Sequence, residues 1–416
     1  MVTLVNEYIK NSKKPDDYQS IYAFRGSDIR NILDFDKDYP EAVVIKLEQN
    51  YRSTKKIVQA ANQIIENNVN QRHKTLYTDN EEGGNLKLYR AMNEYNESSF
   101  VAEEIEHLVS TGEYQYKDFA ILFRNNRKSA LMENALNSNL IPNKVVSGQS
   151  FFQRREIKDI LYYLRFIMDP NDPVFLREII NVPKRGVGDT TIDKIVALSA
   201  DKKIYDILEN PEDIKRMNEK TKDGINNFWK FIRKNRAMIE NESLSTVVKK
   251  MLDELNLIDK HYANEERAKR RERQENLDQL VVLIKEKERK NPDLTLNEFI
   301  DEMILFPIQE NEEDGYVKLM TTHASKGLEF PIVFIIGLDR DTFPSNRAVT
   351  EFDLEEERRL AYVAFTRAKE LLYLTYPEET YVRGKNGMKE TKSNSASPYV
   401  SEFDKKILSN IKQRYI

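Results

Sequence analysis

The 416-residue chain contains no cysteine and only four histidines. The first absence excludes a disulfide scaffold, a cysteine-ligated zinc site and a thiol nucleophile. Four scattered histidines argue against a histidine-built metal centre. Long hydrophobic runs are missing too. A bilayer span needs about 18 apolar residues or more, and the longest candidate, around residues 332–338, is strand-sized. An excess of either charge is also lacking: 65 Lys+Arg stand against 69 Asp+Glu, for a formal net charge of −4. This excludes a histone-like polycation and an acidic solvating tail. It leaves room for nucleic-acid binding, because a local basic stripe needs no basic total. The opening Met-Val-Thr-Leu-Val-Asn-Glu has no basic stretch followed by an apolar run, so no secretory signal is expected. The expectation is a cytoplasmic, multidomain α/β protein without membrane contact.

Periodicity then orders the chain. Residues 2–14 suit an amphipathic helix that ends in Asn-Ser-Lys-Lys-Pro. Strands are expected at 43–47, 86–89 and 119–123, with helices from Ser53-Thr54 to about 67, at 97–110 and at 128–138. This alternation predicts a parallel α/β layer. From Arg154 to about Ile308 the pattern is almost entirely helical, including a highly charged helix over 265–290. Strands resume at 317–321 and 332–336, followed by a helix over 355–369 and a strand at 371–374. The run 332–336 is apolar throughout, which fits a strand covered on both faces. Residues 384–416 read as a polar, loop-like tail. An α/β domain interrupted by a helical insertion is therefore expected.

Four segments carry chemistry. In Gln19-Ser-Ile-Tyr-Ala-Phe-Arg-Gly26, the aromatics Tyr22 and Phe24 followed by Arg25 suit base stacking on a single strand. Leu47-Glu-Gln-Asn-Tyr-Arg-Ser-Thr54 sets Tyr51 and Arg52 at a strand-to-helix junction, where an arginine can reach a phosphate. Thr321-Thr-His-Ala-Ser-Lys-Gly-Leu-Glu-Phe330 offers small polar residues and a carboxylate after a strand. Glu355-Glu-Glu-Arg-Arg-Leu-Ala-Tyr-Val-Ala-Phe-Thr-Arg-Ala-Lys369 presents arginines on a helix, and an arginine so presented can stabilise a transferring phosphoryl group. Taken singly, each also suits a core aromatic pair, a capped helix start, a strand–turn link or a solvated helix face.

In order, spacing and wording, the four resemble motifs III, IV, V and VI of superfamily 1A DNA helicases, the PcrA/UvrD/Rep family, most of all its PcrA branch. The resemblance runs from about Gln19 to Tyr376. It implies a RecA-like parallel-sheet domain, 2A, interrupted by a mostly helical domain, 2B. On that pattern residues 1–40 would be a remnant of domain 1A with motif III. Residues 41–168 and 309–383 would form 2A, 169–308 would form 2B, and 384–416 the tail. The implied activity is ATP-dependent 3′–5′ DNA unwinding. Gln19 would sense the γ-phosphate, Tyr51 stack on adenine and Arg52 touch the γ-phosphate. Glu329 would bind the ribose, and Arg367 would be the γ-phosphate arginine. Tyr22, Phe24, Arg25, Arg124, Asn126, His323 and Lys326 would line the single-strand track. Val182-Pro-Lys-Arg-Gly-Val-Gly-Asp-Thr-Thr191 looks like the family's duplex-contacting hairpin, with Lys184, Arg185, Gly186, Gly188 and Thr190 in contact. Backbone N–H groups at such a helix start suit phosphate oxygens.

The chain departs from the family in places. No Gly-x-x-x-x-Gly-Lys-[Ser/Thr] loop occurs, and no apolar strand ends in Asp-Glu-x-x ahead of Gln19. Tyr18 stands where an aspartate is expected, and Ser345 where relatives often carry histidine. The family requires ATP and Mg²⁺, but the Mg²⁺ ligands are absent here. The expectation is the C-terminal part of a helicase, inactive as an ATPase alone. It would work on single-stranded DNA and duplex junctions, with a Walker A-bearing polypeptide in trans as a partner. The alternatives are a stand-alone junction- or partner-binding module, or a truncated gene remnant.

Overall fold

The computed structural model describes residues 16–23, 28–41, 43–146, 149–215, 217–304, 315–383 and 389–411. The chain divides into two compact units, one formed by Met1–Gly148 with Glu310–Ile416 and the other by Gln149–Gln309.

The first unit is built on one eight-stranded sheet. Its strands are β1 (Leu86–Asn93), β2 (Phe119–Phe123), β3 (Asn143–Val145), β4 (Val317–Thr321), β5 (Phe330–Ile335), β6 (Ala368–Arg383), β7 (Lys389–Ser393) and β8 (Leu408–Ile411). The order is β3-β4-β2-β5-β6-β1-β8, parallel throughout, with β7 antiparallel on β6. Every residue of β2 is buried. Its alternation sends Ala120 and Leu122 into a layer with the helices Lys55–Ile65 and Glu351–Phe365. Phe119, Ile121 and Phe123 enter the opposite layer, with the helices Glu94–Ser110 and Ser129–Ser138. The α/β class and the doubly covered strand at 332–336 are thus both observed.

Three elements differ from expectation. Residues 43–47 form no strand, and Val43 and Ile45 are 83% and 64% exposed. A β-branched run supplies propensity, but a strand also needs a neighbour's N–H and C=O groups, and no described strand lies beside it. The supposed tail contributes β7 and β8 to the sheet. Edge strands face solvent on one side and need no apolar run, so their pattern is faint. The helix expected at 355–369 runs over Glu351–Phe365. A Thr350–Asp353 capping box starts it early, and β6 claims Ala368 onward. The expected helix at 2–14 lies outside the described residues.

The carboxyl ends of β1, β2 and β5 enclose a buried charge cluster. The Lys128 ammonium lies 2.8 Å from Glu94, 4.0 Å from Glu97 and 3.8 Å from Asp339. Glu97 also accepts the Gly337 N–H at 2.8 Å and the Thr375 hydroxyl at 2.7 Å. Burial raises the Glu97 carboxyl above its usual range despite Lys128. For Lys128 the three carboxylates outweigh burial and keep the ammonium charged. The cluster fixes the loop that carries Asn126.

The second unit is helical. Arg155–Met168 packs against Pro173–Ile179, Glu219–Ile239, Arg267–Lys290 and Leu296–Ile304. Its buried Ile157, Ile160, Leu161, Leu164 and Ile167 repeat at helical spacing and supply the apolar stripe that makes this packing favourable. Among the described residues, no helix is long and apolar enough to cross a membrane.

Candidate nucleotide and nucleic-acid site

Three distant segments meet on the first unit. Asn50 Oδ1 accepts the N–H groups of Arg52 and Ser53 at 2.8 and 2.9 Å, which turns the chain into the Lys55–Ile65 helix. The Ser53 hydroxyl donates to the Ala368 carbonyl at 2.6 Å, tying this turn to the start of β6. Arg52 then reaches across. Its Nε donates to Glu329 at 2.7 Å and its Nη1 to the Thr366 carbonyl at 2.9 Å. Glu329 also pairs with Lys369 at 2.8 Å. Lys369 and Arg52 together hold the Glu329 carboxyl down to about 2.

Arg367 sits behind this group, 2% exposed. Its guanidinium donates to the carbonyls of Val363 and Leu328, each at 2.9 Å, and to the Thr366 hydroxyl at 3.1 Å. Burial, then the neighbouring Arg52, lowers its pKa to about 10. Tyr51 is 79% exposed, and its hydroxyl donates to Gln49 at 2.5 Å. The Gln19 side chain donates to Asp16 at 2.7 Å, in a short turn over Asp17–Gln19. Arg52, Glu329 and Arg367 are therefore brought together, with Tyr51 open to a flat ligand.

A second group lies alongside. The Tyr22 hydroxyl donates to the His323 carbonyl at 3.3 Å, and the two rings are 6.3 Å apart. The Lys326 ammonium stands 5.3 Å over the Tyr22 ring and donates to the Gln19 carbonyl at 2.7 Å. Tyr22, His323 and Lys326 thus form one polar, aromatic surface. Phe24 and Arg25 lie outside the described residues. Arg124 is turned inward in a fork-to-fork pair with Glu357 at 2.6 to 3.0 Å. Asn126 is exposed.

On the helical unit, the hairpin before the Asp189–Leu198 helix separates two basic neighbours. Arg185 folds inward, with Nη1 donating to the Ile180 carbonyl at 3.0 Å and Nη2 to the Tyr163 hydroxyl at 2.8 Å. Asn181 Oδ1 accepts the N–H groups of Arg185 and Val187 at 3.3 and 3.2 Å. Gly186 has φ +77°, a conformation glycine adopts without strain. Lys184, Gly186, Gly188 and Thr190 remain exposed.

The family of the UvrD-like helicase C-terminal domain matches residues 45–379. The chain belongs to this family. ATP-dependent DNA helicase PcrA of Bacillus subtilis strain 168 is 39% identical over 410 residues, covering 96% of this chain and 54% of that protein. PcrA of Staphylococcus aureus strain Mu50 is 39% identical over 412 residues, covering 95% and 54%. The chain therefore spans about half the length of these relatives. The crystal structure of the C-terminal domain of a possible DNA helicase from Lactobacillus plantarum WCFS1 aligns with a TM-score of 0.33 and 11% identity, over 87% of this chain and 98% of that one.

Within this UvrD-like domain, sequence reasoning missed Lys369, the second cation on Glu329. Its signal was the Thr-Arg-Ala-Lys run, but the residue was read as helical, not as the second position of β6. It also missed Glu357, the inward partner of Arg124. Three acidic residues in a row at 355–357 hide that Glu355 and Glu357 are buried.

Proposed function

We propose that this UvrD-like domain supplies one side of the ATP site and part of the single-strand track of an ATP-dependent DNA helicase. The observation that carries this is the convergence of Arg52, Glu329 and Arg367, from three separate segments, within one hydrogen-bonded group. Two guanidiniums, one carboxylate and an exposed tyrosine fit a nucleotide's γ-phosphate, ribose and base. Bound ATP would supply the phosphoryl group, with the chemistry driven by parts outside these 416 residues. Among the described residues no group of three or more His, Asp or Glu could hold a metal ion.

The roles proposed are those the family pattern implies. Arg367 offers charge to the γ-phosphate from a dry position, where electrostatic attraction is stronger than in water. Arg52 competes for the same phosphate and would exchange Glu329 for it. Glu329, kept ionised by Lys369, accepts a ribose hydroxyl. Tyr51 stacks on adenine. Gln19, whose carbonyl accepts from Lys326, senses the γ-phosphate. Tyr22, His323 and Lys326 take single-stranded DNA, joined by Phe24, Arg25 and Asn126. Arg124 joins them only if it leaves Glu357. On the helical unit Lys184 and the exposed backbone at Gly186, Gly188 and Thr190 contact duplex phosphates, while Arg185 shapes the hairpin. Turnover requires a Walker A-bearing partner unit, so this chain alone does not hydrolyse ATP.

Fluorescence anisotropy with a labelled single strand tests the track. The expected result is salt-dependent binding in which Lys326→Ala flattens the log–log salt slope by about 0.7, the value for one phosphate contact on a single strand. No binding at low salt, or a slope unchanged by Lys326→Ala, would contradict the assignment.

A further inference from the structure

Tyr51 and Arg52 are chain neighbours whose side chains turn to different places. Arg52 reaches Glu329 and the Thr366 carbonyl, at 2.7 and 2.9 Å. The Tyr51 hydroxyl donates to Gln49 Oε1 at 2.5 Å. Gln49 in turn donates from Nε2 to Asp79 Oδ2 at 2.7 Å. A short polar chain therefore leads from the tip of the tyrosine ring to an exposed carboxylate.

The backbone explains why these side chains meet. The Tyr77 N–H donates to the Glu48 carbonyl at 2.9 Å, and the Asn50 N–H to the Tyr77 carbonyl at 2.7 Å. These two bonds make an isolated parallel bridge that pairs Gln49 with Tyr77, outside the eight-stranded sheet. Paired residues project to the same face, and so do residues two apart in an extended segment. Gln49, Tyr77 and Asp79 thus share a face, as the Gln49–Asp79 bond requires. The bridge extends no sheet and buries neither ring: Tyr51 is 79% and Tyr77 53% exposed. Its effect is to set a second aromatic and a carboxylate beside Gln49, where the Tyr51 ring is anchored.

The chemistry of this patch points to one end of a nucleotide. An aromatic face stacks on any base. An ionised carboxylate only accepts hydrogen bonds, so a base beside Asp79 must bring an N–H. Gln49 takes Oδ2 and leaves Oδ1 open to a ligand. A phosphate there would meet like charge. The patch therefore suits the base, with Arg52 and Arg367 left for the phosphates.

We propose that Tyr77 and Asp79 complete the base subsite that Tyr51 begins. Tyr77 forms a second apolar border, and Asp79 Oδ1 accepts an N–H of a purine's exocyclic amine, so that the site selects adenine over a purine without that amine. This rests on the reading of Tyr51 as the residue that stacks on adenine.

The test uses the full 416-residue chain and two probes, ATP and purine riboside triphosphate, which lacks the 6-amino group. Saturation-transfer NMR reads contact with the base protons, and its titration gives both affinities. ATP is expected to bind about tenfold more tightly than the analogue, the size of one hydrogen bond to a charged group. Asp79→Ala should bring the two affinities together. The ratio is the readout, because removing a carboxylate favours any triphosphate. Tyr77→Ala should weaken both probes alike, by about fivefold, the lower end for one aromatic contact with a base. An ATP preference kept in Asp79→Ala, equal affinities in the unaltered chain, or unchanged affinities in Tyr77→Ala would overturn the inference and leave the reading of Tyr51 standing. Tyr51→Ala should abolish saturation of the base protons. Saturation unchanged in that variant, or no base signal in the unaltered chain, would overturn the reading of Tyr51 and the inference with it.

Discussion

Arg367 is almost wholly buried and still charged at neutral pH, because a pKa lowered to about 10 leaves the guanidinium protonated. In the sequence it was singled out only through the joint resemblance of the four segments, since its own segment alone also suits a solvated helix face. The inward turn of Arg185 was not legible there. Lys184 and Arg185 look alike in a sequence, but a planar fork of donors suits a ring of carbonyls and a point charge does not. The carbonyls arise only once the hairpin is folded, so no local pattern announces them. Asp159 is a further case, fully buried between the Tyr262 hydroxyl at 2.7 Å and Arg155 at 3.0 Å. Burial raises its pKa from 3.8 to about 6, against the pull of Tyr262 and Arg155, with Glu156 and Glu178 adding to the rise. The folded state then holds this proton more tightly than the unfolded chain. The group's stabilising contribution is complete below pH 4 and is lost as pH rises through about 6. Asp159→Asn removes that slope. The unfolding free energy of the helical unit, from urea titration, should rise in the variant relative to the unaltered chain by up to about 3 kcal/mol between pH 4 and 7. Parallel pH profiles would contradict this.

Among elements, the central strands were the most legible. Phe119–Phe123 and Phe330–Ile335 are buried on both faces, and unbroken apolar runs announce such strands. Of the edge strands, β7 was missed because its residues are polar, and β8 because it has only four residues, with apolar Leu408 and Ile411 at its two ends. The run at 43–47 failed for the converse reason, apolar side chains without a neighbouring strand. The helix–hairpin contact shows how little of a close approach appears in a sequence. A Cβ on Gly224, inside the Glu219–Ile239 helix, would stand 2.3 Å from the Arg185 carbonyl oxygen. In an open helix, Gly→Ala stabilises by about 1 kcal/mol. Here the backbone of the hairpin must move, at about 1–3 kcal/mol. Gly224→Ala is therefore expected to destabilise the helical unit and weaken duplex binding while leaving single-strand binding intact. A variant more stable than the unaltered chain would show that the hairpin yields freely. Trp229, the chain's single tryptophan, lies on the same helix, so its fluorescence reads this unit alone.

At the scale of the whole molecule, an overall charge of −4 hides both candidate DNA surfaces. Each is small and local: Lys326 with His323 and Tyr22 on one unit, Lys184 with a hairpin backbone on the other. The proposed nucleotide side is likewise partial, with Arg52, Arg367 and the Glu329 carboxylate but no phosphate-cradling loop in the sequence. On the proposed reading, such a half-site acts only when a second unit closes on it. The most direct measurement is DNA-stimulated ATP hydrolysis by this chain alone and by a hybrid in which it replaces the matched region of the Bacillus subtilis PcrA relative. The account predicts no turnover by the chain alone, and turnover by the hybrid that falls about 10³-fold or more with Arg367→Ala, the range for an arginine finger. Hydrolysis by the chain alone, or hybrid turnover indifferent to Arg367→Ala, would contradict it.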